Sequence, residues 1–303
     1  MKILLTGANG LTGQKIVYKC LNNPDIDLLA TSKGECRIKV IDGYKYKSLD
    51  ITNKNDVDSV IKEFNPDVII NTAAMTNVDA CELDHENCKK LNVDAVNYLC
   101  SAIINHAPSC FLVHLSTDFI FDGENGPYKE EDKADPLSYY GQSKLDAENL
   151  ILSFHTINYA ILRTVLVYGF VDQMSRTNIV LWAKEALENG KRINVVNDQF
   201  RTPTLAEDLA EGCLLSAKKQ IKGIFNISGK DFMSILELVY KVADFWKLNK
   251  NLITPSSSVG INQPAKRPPK TGFIIEKAIS ELEYKPHSFE EGLEILNQQL
   301  ISN

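Results

Sequence analysis

The feature that most constrains this chain lies in its first thirteen residues. A short apolar run, Lys2 to Thr6, ends in Thr6-Gly7-Ala8-Asn9-Gly10-Leu11-Thr12-Gly13. Leu11 to Leu21 then carries helical spacing, with Leu11, Ile16, Val17 and Cys20 facing inward. A strand that runs into a glycine-patterned turn and opens a helix is the context a dinucleotide site requires. Gly7 allows the tight turn, Gly10 removes a side chain where pyrophosphate approaches the backbone, and Gly13 lets the helix pack close to the sheet. The helix N-terminus then offers unpaired N–H groups and positive potential to the phosphates. The spacing is G-x-x-G-x-x-G. A glycine-rich turn of purely structural use is the competing reading.

The segments that follow keep alternating. Asp27 to Thr31 reads as a strand, Asp56 to Phe64 as a helix stopped by Asn65-Pro66, and Asp67-Val68-Ile69-Ile70-Asn71 as a strand. Cys110 to Leu115 and Tyr159 to Leu162 are further strands. Continuous apolar strands separated by helices point to a parallel sheet covered on both faces, and parallel connections need helical crossovers. The fold class expected is α/β, a Rossmann-type doubly wound parallel sheet with a smaller C-terminal α/β substrate domain. Beyond Tyr168-Gly169 the pattern changes. Helices are expected at Asn178 to Leu187, Leu205 to Ala217, Ser234 to Trp246 and Phe289 to Leu300, with short strands at Ile193 to Val196 and Ile224 to Ile227. Thr254 to Pro269, rich in Ser and Pro, reads as a loop. The division expected is 1–165 for dinucleotide binding and 166–303 for substrate, with about 205–228 returning to the first domain.

Bulk properties narrow the function classes. The 303 residues are 44% hydrophobic and 24% charged, enough for a large core. A net charge of -6 repels phosphate backbones at long range, so nucleic acid is not an expected partner. No apolar stretch reaches membrane-spanning length, and the apolar start is too short to direct secretion. The seven cysteines include no C-x-x-C pair and read as free thiols in a reducing compartment, giving a cytoplasmic expectation. The five histidines are scattered without metal spacing, so no metal is expected; His114, inside an apolar strand, reads as a satisfied core residue.

Five further stretches carry chemistry. After the second strand, an acidic residue would accept from the ribose hydroxyl of NAD; here Ser32 and Lys33 follow, with Arg37 nearby, which favours a 2′-phosphate and hence NADPH, with NADH the second candidate. A solvated basic loop is the competing reading. Asp50-Ile51 borders the expected adenine position, and Asn71-Thr72-Ala73-Ala74 leaves room for a cofactor against the backbone. Ser116-Thr117-Asp118 follows the strand Cys110 to Leu115, at the carboxyl end where such sheets bind ligands. Judged alone, that triplet is more often a turn. Finally, Tyr140-Gly141-Gln142-Ser143-Lys144 opens a helical segment, and the i,i+4 spacing puts Tyr140 and Lys144 on one face. A neighbouring ammonium favours the phenolate and would lower the tyrosine pKa. Tyr-x-x-x-Lys is weak alone; its weight comes from the ordered set.

That set resembles the extended short-chain dehydrogenase/reductase superfamily. Several stretches are similar to dTDP-4-dehydrorhamnose reductases: Pro66 to Ala74, Val78-Asp79-Ala80-Cys81-Glu82, Ser116 to Gly123, Leu162-Arg163-Thr164, Asp198-Gln199, Pro203-Thr204, Asp208-Leu209-Ala210, Lys266-Arg267-Pro268 and Glu291-Gly292-Leu293. The resemblance implies hydride transfer to the C4 carbonyl of a nucleotide-linked 4-keto-6-deoxysugar, as in dTDP-rhamnose biosynthesis. It implies Tyr140 as proton donor, Lys144 on the nicotinamide ribose, and Thr117 on the substrate oxygen. Gly7, Asn9, Gly10, Leu11, Thr12, Ser32, Lys33, Asp50, Ile51, Thr72, Ala73 and Ala74 would line the cofactor, and Thr76, Thr117, Asp118, Phe119 and Arg267 the substrate. Such family members usually carry Tyr where this chain has Phe119, and Ser-Trp where it has Val165-Leu166.

The same block also resembles the regulatory subunit of methionine adenosyltransferase, through Phe121-Asp122-Gly123, Pro127-Tyr128 and Glu130-Glu131-Asp132. That implies an NADP-binding regulatory protein with a stable protein partner. A sugar-nucleotide epimerase on the same scaffold is a third reading, distinguished by a tightly held oxidised cofactor. One chain leaves the oligomeric state open, a homodimer included.

Overall fold

Apart from the exposed edge strand at Lys45–Ser48, the strands of the main sheet are largely apolar runs whose alternate side chains are buried on opposite faces. The computed structural model describes residues 1–302 apart from 22, 41, 175 and 260–262. The first half runs β1 (Lys2–Thr6), α1 (Leu11–Leu21), β2 (Asp27–Ser32), β3 (Lys45–Ser48), α2 (Lys54–Phe64), β4 (Val68–Asn71), α3 (Val78–Leu83), α4 (His85–Lys89), α5 (Ala95–His106), β5 (Phe111–Thr117), α6 (Tyr139–Ser153) and β6 (Asn158–Thr164). The second half follows with β7 (Val167–Tyr168), α7 (Ile179–Glu188), β8 (Ile193–Val196), β9 (Phe200–Arg201), β10 (Thr204–Leu205), α8 (Ala206–Lys219), β11 (Gly223–Asn226), β12 (Met233–Ser234), α9 (Ile235–Phe245), β13 (Ile253–Ser256) and α10 (Phe289–Ile301).

Seven strands form one sheet in the order β11-β6-β5-β4-β1-β2-β3, and all six pairings are parallel. Ile3, Leu5, Val68, Ile70, Phe111 and Val113 face α1 and α8, through Ile16, Val17, Leu209 and Cys213. The intervening Leu4, Ile69, Leu112 and Ile161 face α2, α5 and α6, through Val60, Ile61, Leu99, Ile103, Ala147 and Ile151. Helices therefore cover both faces, the doubly wound arrangement expected from the alternation. The strand order reverses at β1 and β4, which opens a crevice beyond their carboxyl ends. A separate core joins α7, α9 and α10 to β8 and β13 through Val180, Leu187, Val195, Val242, Ile253 and Leu293.

Boundaries moved where capping decides them. The helix expected from Asp56 starts at Lys54, because the Asn53 side chain accepts from the backbone N–H of Asn55 and Asp56. The stretch expected as a loop from Thr254 begins instead as β13, paired in parallel with β8. Pro255 is tolerated there because β13 has a neighbour on one side only. Residues 260–262 of that stretch lie outside the described residues. The segment expected at Ile224 to Ile227 is β11, an edge strand of the large sheet, and α8 packs on α1.

Candidate active site

The helix with Tyr140 is fixed to the sheet by a match of two periodicities. Strand residues two apart are about 6.6 Å apart, and helix residues four apart about 6 Å. His114 and Ser116 of β5 therefore meet Lys144 and Glu148 of α6 rung by rung. Lys144 Nζ lies 3.1 Å from His114 Nε2, and the Ser116 hydroxyl donates to Glu148 Oε1 at 2.5 Å. Arg163 of β6 grips the same carboxylate, Nη2 to Oε2 at 2.7 Å and Nε to Oε1 at 3.1 Å. The helix begins where Ser138 accepts from the Gly141 N–H. Tyr140 thus falls in the first turn, with Tyr140, Lys144 and Glu148 all buried on one face.

At the carboxyl end of β5, Thr117 caps a short 3-10 turn by accepting from the Phe119 N–H at 3.3 Å. Its hydroxyl lies close enough to the Tyr140 phenol to act on it. The Phe119 ring lies edge-on to Tyr140 with centroids 5.8 Å apart. Burial pushes the Tyr140 phenol well above its ordinary value; Thr117 opposes this, and the Asp118 carboxylate adds to it. Burial also pulls Lys144 down to about 8, with Glu148 acting to hold its proton. The lowering of Tyr140 expected from Lys144 is therefore outweighed here by burial, and the lysine head group lies against His114.

The turn after β1 suits a dinucleotide phosphate. Gly7 has φ +73°, and a Cβ on Gly13 would sit 2.2 Å from the Gly7 carbonyl oxygen, so the turn and helix touch backbone to backbone. A Cβ on Gly10 would meet only the Gly7 oxygen, at 3.2 Å, leaving open space above it. The first helical bond runs from the Gln14 N–H to Gly10 O. Gly10 has no side chain with which to cap, and the first turn holds no acidic residue. The N–H groups of Leu11, Thr12 and Gly13 thus face the crevice at the positive helix end. Thr72 and Ala73 pack directly on the turn: a Cβ on Gly7 would sit 2.7 Å from Thr72 Oγ1 and from Ala73 N. Ala74 follows half-buried, and Ile51 is buried beside the half-buried Asp50.

Several expected side chains have other occupations. Asp118 is 3% exposed, and its carboxylate takes hydrogen bonds from Thr117 and Thr271 and faces Arg201 at 3.5 Å. Its burial makes it an anchor between the end of β5 and the second half, where a substrate contact was expected. Arg267 turns its fork onto Asp79, at 2.6 and 3.2 Å, because that carboxylate presents the paired acceptors a guanidinium fits. Lys33 pairs with Asp50 at 2.7 Å, which holds that carboxyl down at about 2. Thr76 is exposed and its carbonyl accepts from Arg176. Ser32 ends β2, and its carbonyl accepts from the Leu49 N–H.

Two residues, His114 and Arg201, were not singled out for the site from sequence, and Asn9, expected on the cofactor, has partners that sequence did not give. His114, read as a satisfied core residue, has both ring nitrogens partnered, and one partner is Lys144. The rung match of 114 and 116 with 144 and 148 was the available signal. Buried Arg201 donates to the carbonyls of Phe200, Pro268 and Pro269, tying the substrate-side loop together. Asn9 ties the phosphate turn to the loop after β2, donating to Glu35 O at 2.8 Å and accepting from the Arg37 N–H at 2.9 Å. Arg201 has no sequence signal beyond residue type, whereas Asn9 lies inside the glycine motif and only its partners were hidden.

Fold and site together define a nucleotide-binding α/β protein with a Tyr-Lys pair at the carboxyl end of its sheet. The sequence matches the RmlD substrate binding domain over residues 1–301, and the chain belongs to that family. It is 31% identical to a dTDP-4-dehydrorhamnose reductase from Aggregatibacter actinomycetemcomitans, over 96% of this chain and 97% of that protein. It is also 31% identical to methionine adenosyltransferase 2 subunit beta from Danio rerio, over 88% of this chain and 80% of that protein. Among solved structures it resembles dTDP-4-dehydrorhamnose reductase from Bacillus anthracis in complex with NADP. That likeness has a TM-score of 0.83 and 26% identity, covering 98% of this chain and 99% of that one.

Proposed function

We propose that the protein is an NADPH-dependent reductase of a nucleotide-linked 4-keto-6-deoxysugar, of the dTDP-4-dehydrorhamnose kind. The observation that carries the reading is the buried face of α6, with Tyr140 beside Thr117 and Lys144 one turn below, at the carboxyl end of the sheet where β1 also ends in the glycine turn. A bound reduced nicotinamide supplies the hydride to the C4 carbonyl carbon. Tyr140 gives its phenolic proton to the oxygen as the C=O bond becomes C–O–H, and Thr117 donates to the same oxygen. Lys144 holds the nicotinamide ribose and compensates the phenolate left on Tyr140. Gly7, Asn9, Gly10, Leu11 and Thr12 hold the pyrophosphate; Thr72, Ala73 and Ala74 line the ribose path. Asp50 and Ile51 border the adenine, and Ser32 and Lys33 the 2′-phosphate. On the substrate side, Thr76 and Phe119 flank the sugar. Arg267 exchanges Asp79 for the diphosphate, while Thr117 turns its one hydroxyl proton from Asp118 to the substrate oxygen and Asp118 keeps its contacts with Thr271 and Arg201.

A second reading follows from the likeness to methionine adenosyltransferase 2 subunit beta: a regulatory protein that binds the cofactor and a protein partner. NADPH consumption with dTDP-4-dehydrorhamnose and other nucleotide-linked keto-sugars separates the two. Turnover supports the reductase. NADPH binding without turnover on any of them favours the regulatory reading.

A further inference from the structure

One polar rung crosses the sheet, and three of its side chains, on adjacent strands, are linked to one another by hydrogen bonds. Thr6 of β1 pairs with Asn71 of β4, and Asn71 with His114 of β5, in an otherwise apolar run. All three are buried, at 1% exposure or less. Buried polar groups are costly unless each finds a partner, and these find one another. The Thr6 hydroxyl donates to Asn71 Oδ1 at 2.5 Å, and the Asn71 amide lies 3.0 Å from His114 Nδ1. The chain ends at Lys144, 3.1 Å from Nε2, and among the described residues no other hydrogen bond reaches that ammonium.

Counting hydrogens constrains the ring. A neutral imidazole has one N–H and one lone pair, and an ammonium only donates. With Lys144 charged, Nε2 must accept and Nδ1 carries the proton, which turns the Asn71 oxygen toward the ring. With Lys144 a free amine, Nε2–H donates to it. Nδ1 then accepts from the Asn71 amide while Thr6 donates to the amide oxygen. The ring itself stays neutral, since burial first and the Lys144 charge second push its pKa far below the ordinary value. The other groups acting on Lys144 are Glu148 on its own helix, itself paired with Arg163 of β6, and Cys88 of α4.

We infer that His114 is a positioning residue that holds Lys144 on the face it shares with Tyr140, and that its imidazole changes tautomer when Lys144 gains or loses its proton. The positioning role rests on the proposed reduction, whereas the link between the two side chains stands without it. Nitrogen-15 NMR of histidine-labelled full-length protein reads the tautomer directly, with H114Q identifying the resonance. Between about pH 6 and 10, the ring should remain neutral. It should pass from Nδ1–H to Nε2–H with a midpoint near 8, where burial places Lys144, and the transition should vanish in K144M. A ring that becomes cationic near its ordinary value, or a tautomer indifferent both to pH and to K144M, overturns the link. In kinetics, H114F fills the space without an acceptor and should lower kcat at least about tenfold, with the sugar KM within about twofold. H114Q, which keeps an acceptor, should restore most of that loss. Wild-type kcat in H114F overturns the positioning role. If the wild-type protein reduces no keto-sugar, the proposed function fails while the NMR result still decides the link.

Discussion

His114 contributes a pH dependence that can be read in stability alone. Its folded pKa lies well below 6.5, the value expected of the unfolded chain. Below that value the unfolded state takes up a proton that the folded state refuses. Its stabilising contribution is therefore complete above about pH 6.5 and is lost as pH falls, at up to about 1.4 kcal/mol per pH unit. Thermal melts between about pH 4 and 7 should show this slope in the wild-type protein and a shallower one in His114→Gln. Equal slopes would contradict the buried neutral ring. At the other end of the crevice, Lys33 is paired with Asp50 and is largely exposed, free to exchange its partner for a phosphate. Lys33→Asp should weaken NADPH at least about tenfold relative to NADH, roughly 1.4 kcal/mol, by fluorescence titration. Equal losses for both cofactors would show that Lys33 does not meet the 2′-phosphate. What sequence conveyed at this scale was residue type and spacing. Asp118 and Arg267 were legible as functional candidates, but their guanidinium and carboxylate partners, Arg201 and Asp79, come from segments distant in the chain.

Among the elements, α6 is the one whose placement decides the chemistry, and it is fastened by buried charges. Arg163 and Glu148 have side chains 5% and 1% exposed and share a bidentate contact that also accepts from Ser116. Removing one partner strands the other charge away from water, which costs about 3–5 kcal/mol, whereas removing both leaves no orphan charge. Arg163→Met should lower Tm markedly, and Arg163→Met combined with Glu148→Leu should recover much of the loss. A single variant that melts with the wild type would show that α6 is not held in this way. Elements with a strong internal pattern were the legible ones. The α1 span follows directly from its apolar spacing, and the Tyr140 helix was read from the Tyr140 to Lys144 stretch, while its Ser138 cap was not. By contrast, β13 was hidden by its Pro and Ser content, because its pairing with β8 is a tertiary fact that composition does not carry.

For the whole molecule, the strand reversal at β1 and β4 brings the phosphate turn and Thr72-Ala73 together at the carboxyl ends of the two strands. β5, two places along the sheet from β1, then sets Thr117 and the α6 face at the same carboxyl edge. The alternation of strands and helices was enough to foresee that geometry, because parallel crossovers leave few alternatives. The sugar was less legible, since Phe119 and Val165-Leu166 differ from the pattern of the dehydrorhamnose reductases and their effect depends on packing around a bound substrate. The account therefore turns on whether this crevice transfers a hydride with Tyr140 as proton donor. The most direct measurement is NADPH oxidation by the wild-type protein and by Tyr140→Phe, with dTDP-4-dehydrorhamnose as substrate and NADPH affinity measured in parallel. The account predicts wild-type turnover and a fall of about 10²–10⁴-fold in the variant with NADPH affinity nearly unchanged. Equal rates in the two proteins, or no turnover in either despite tight NADPH binding, would contradict it.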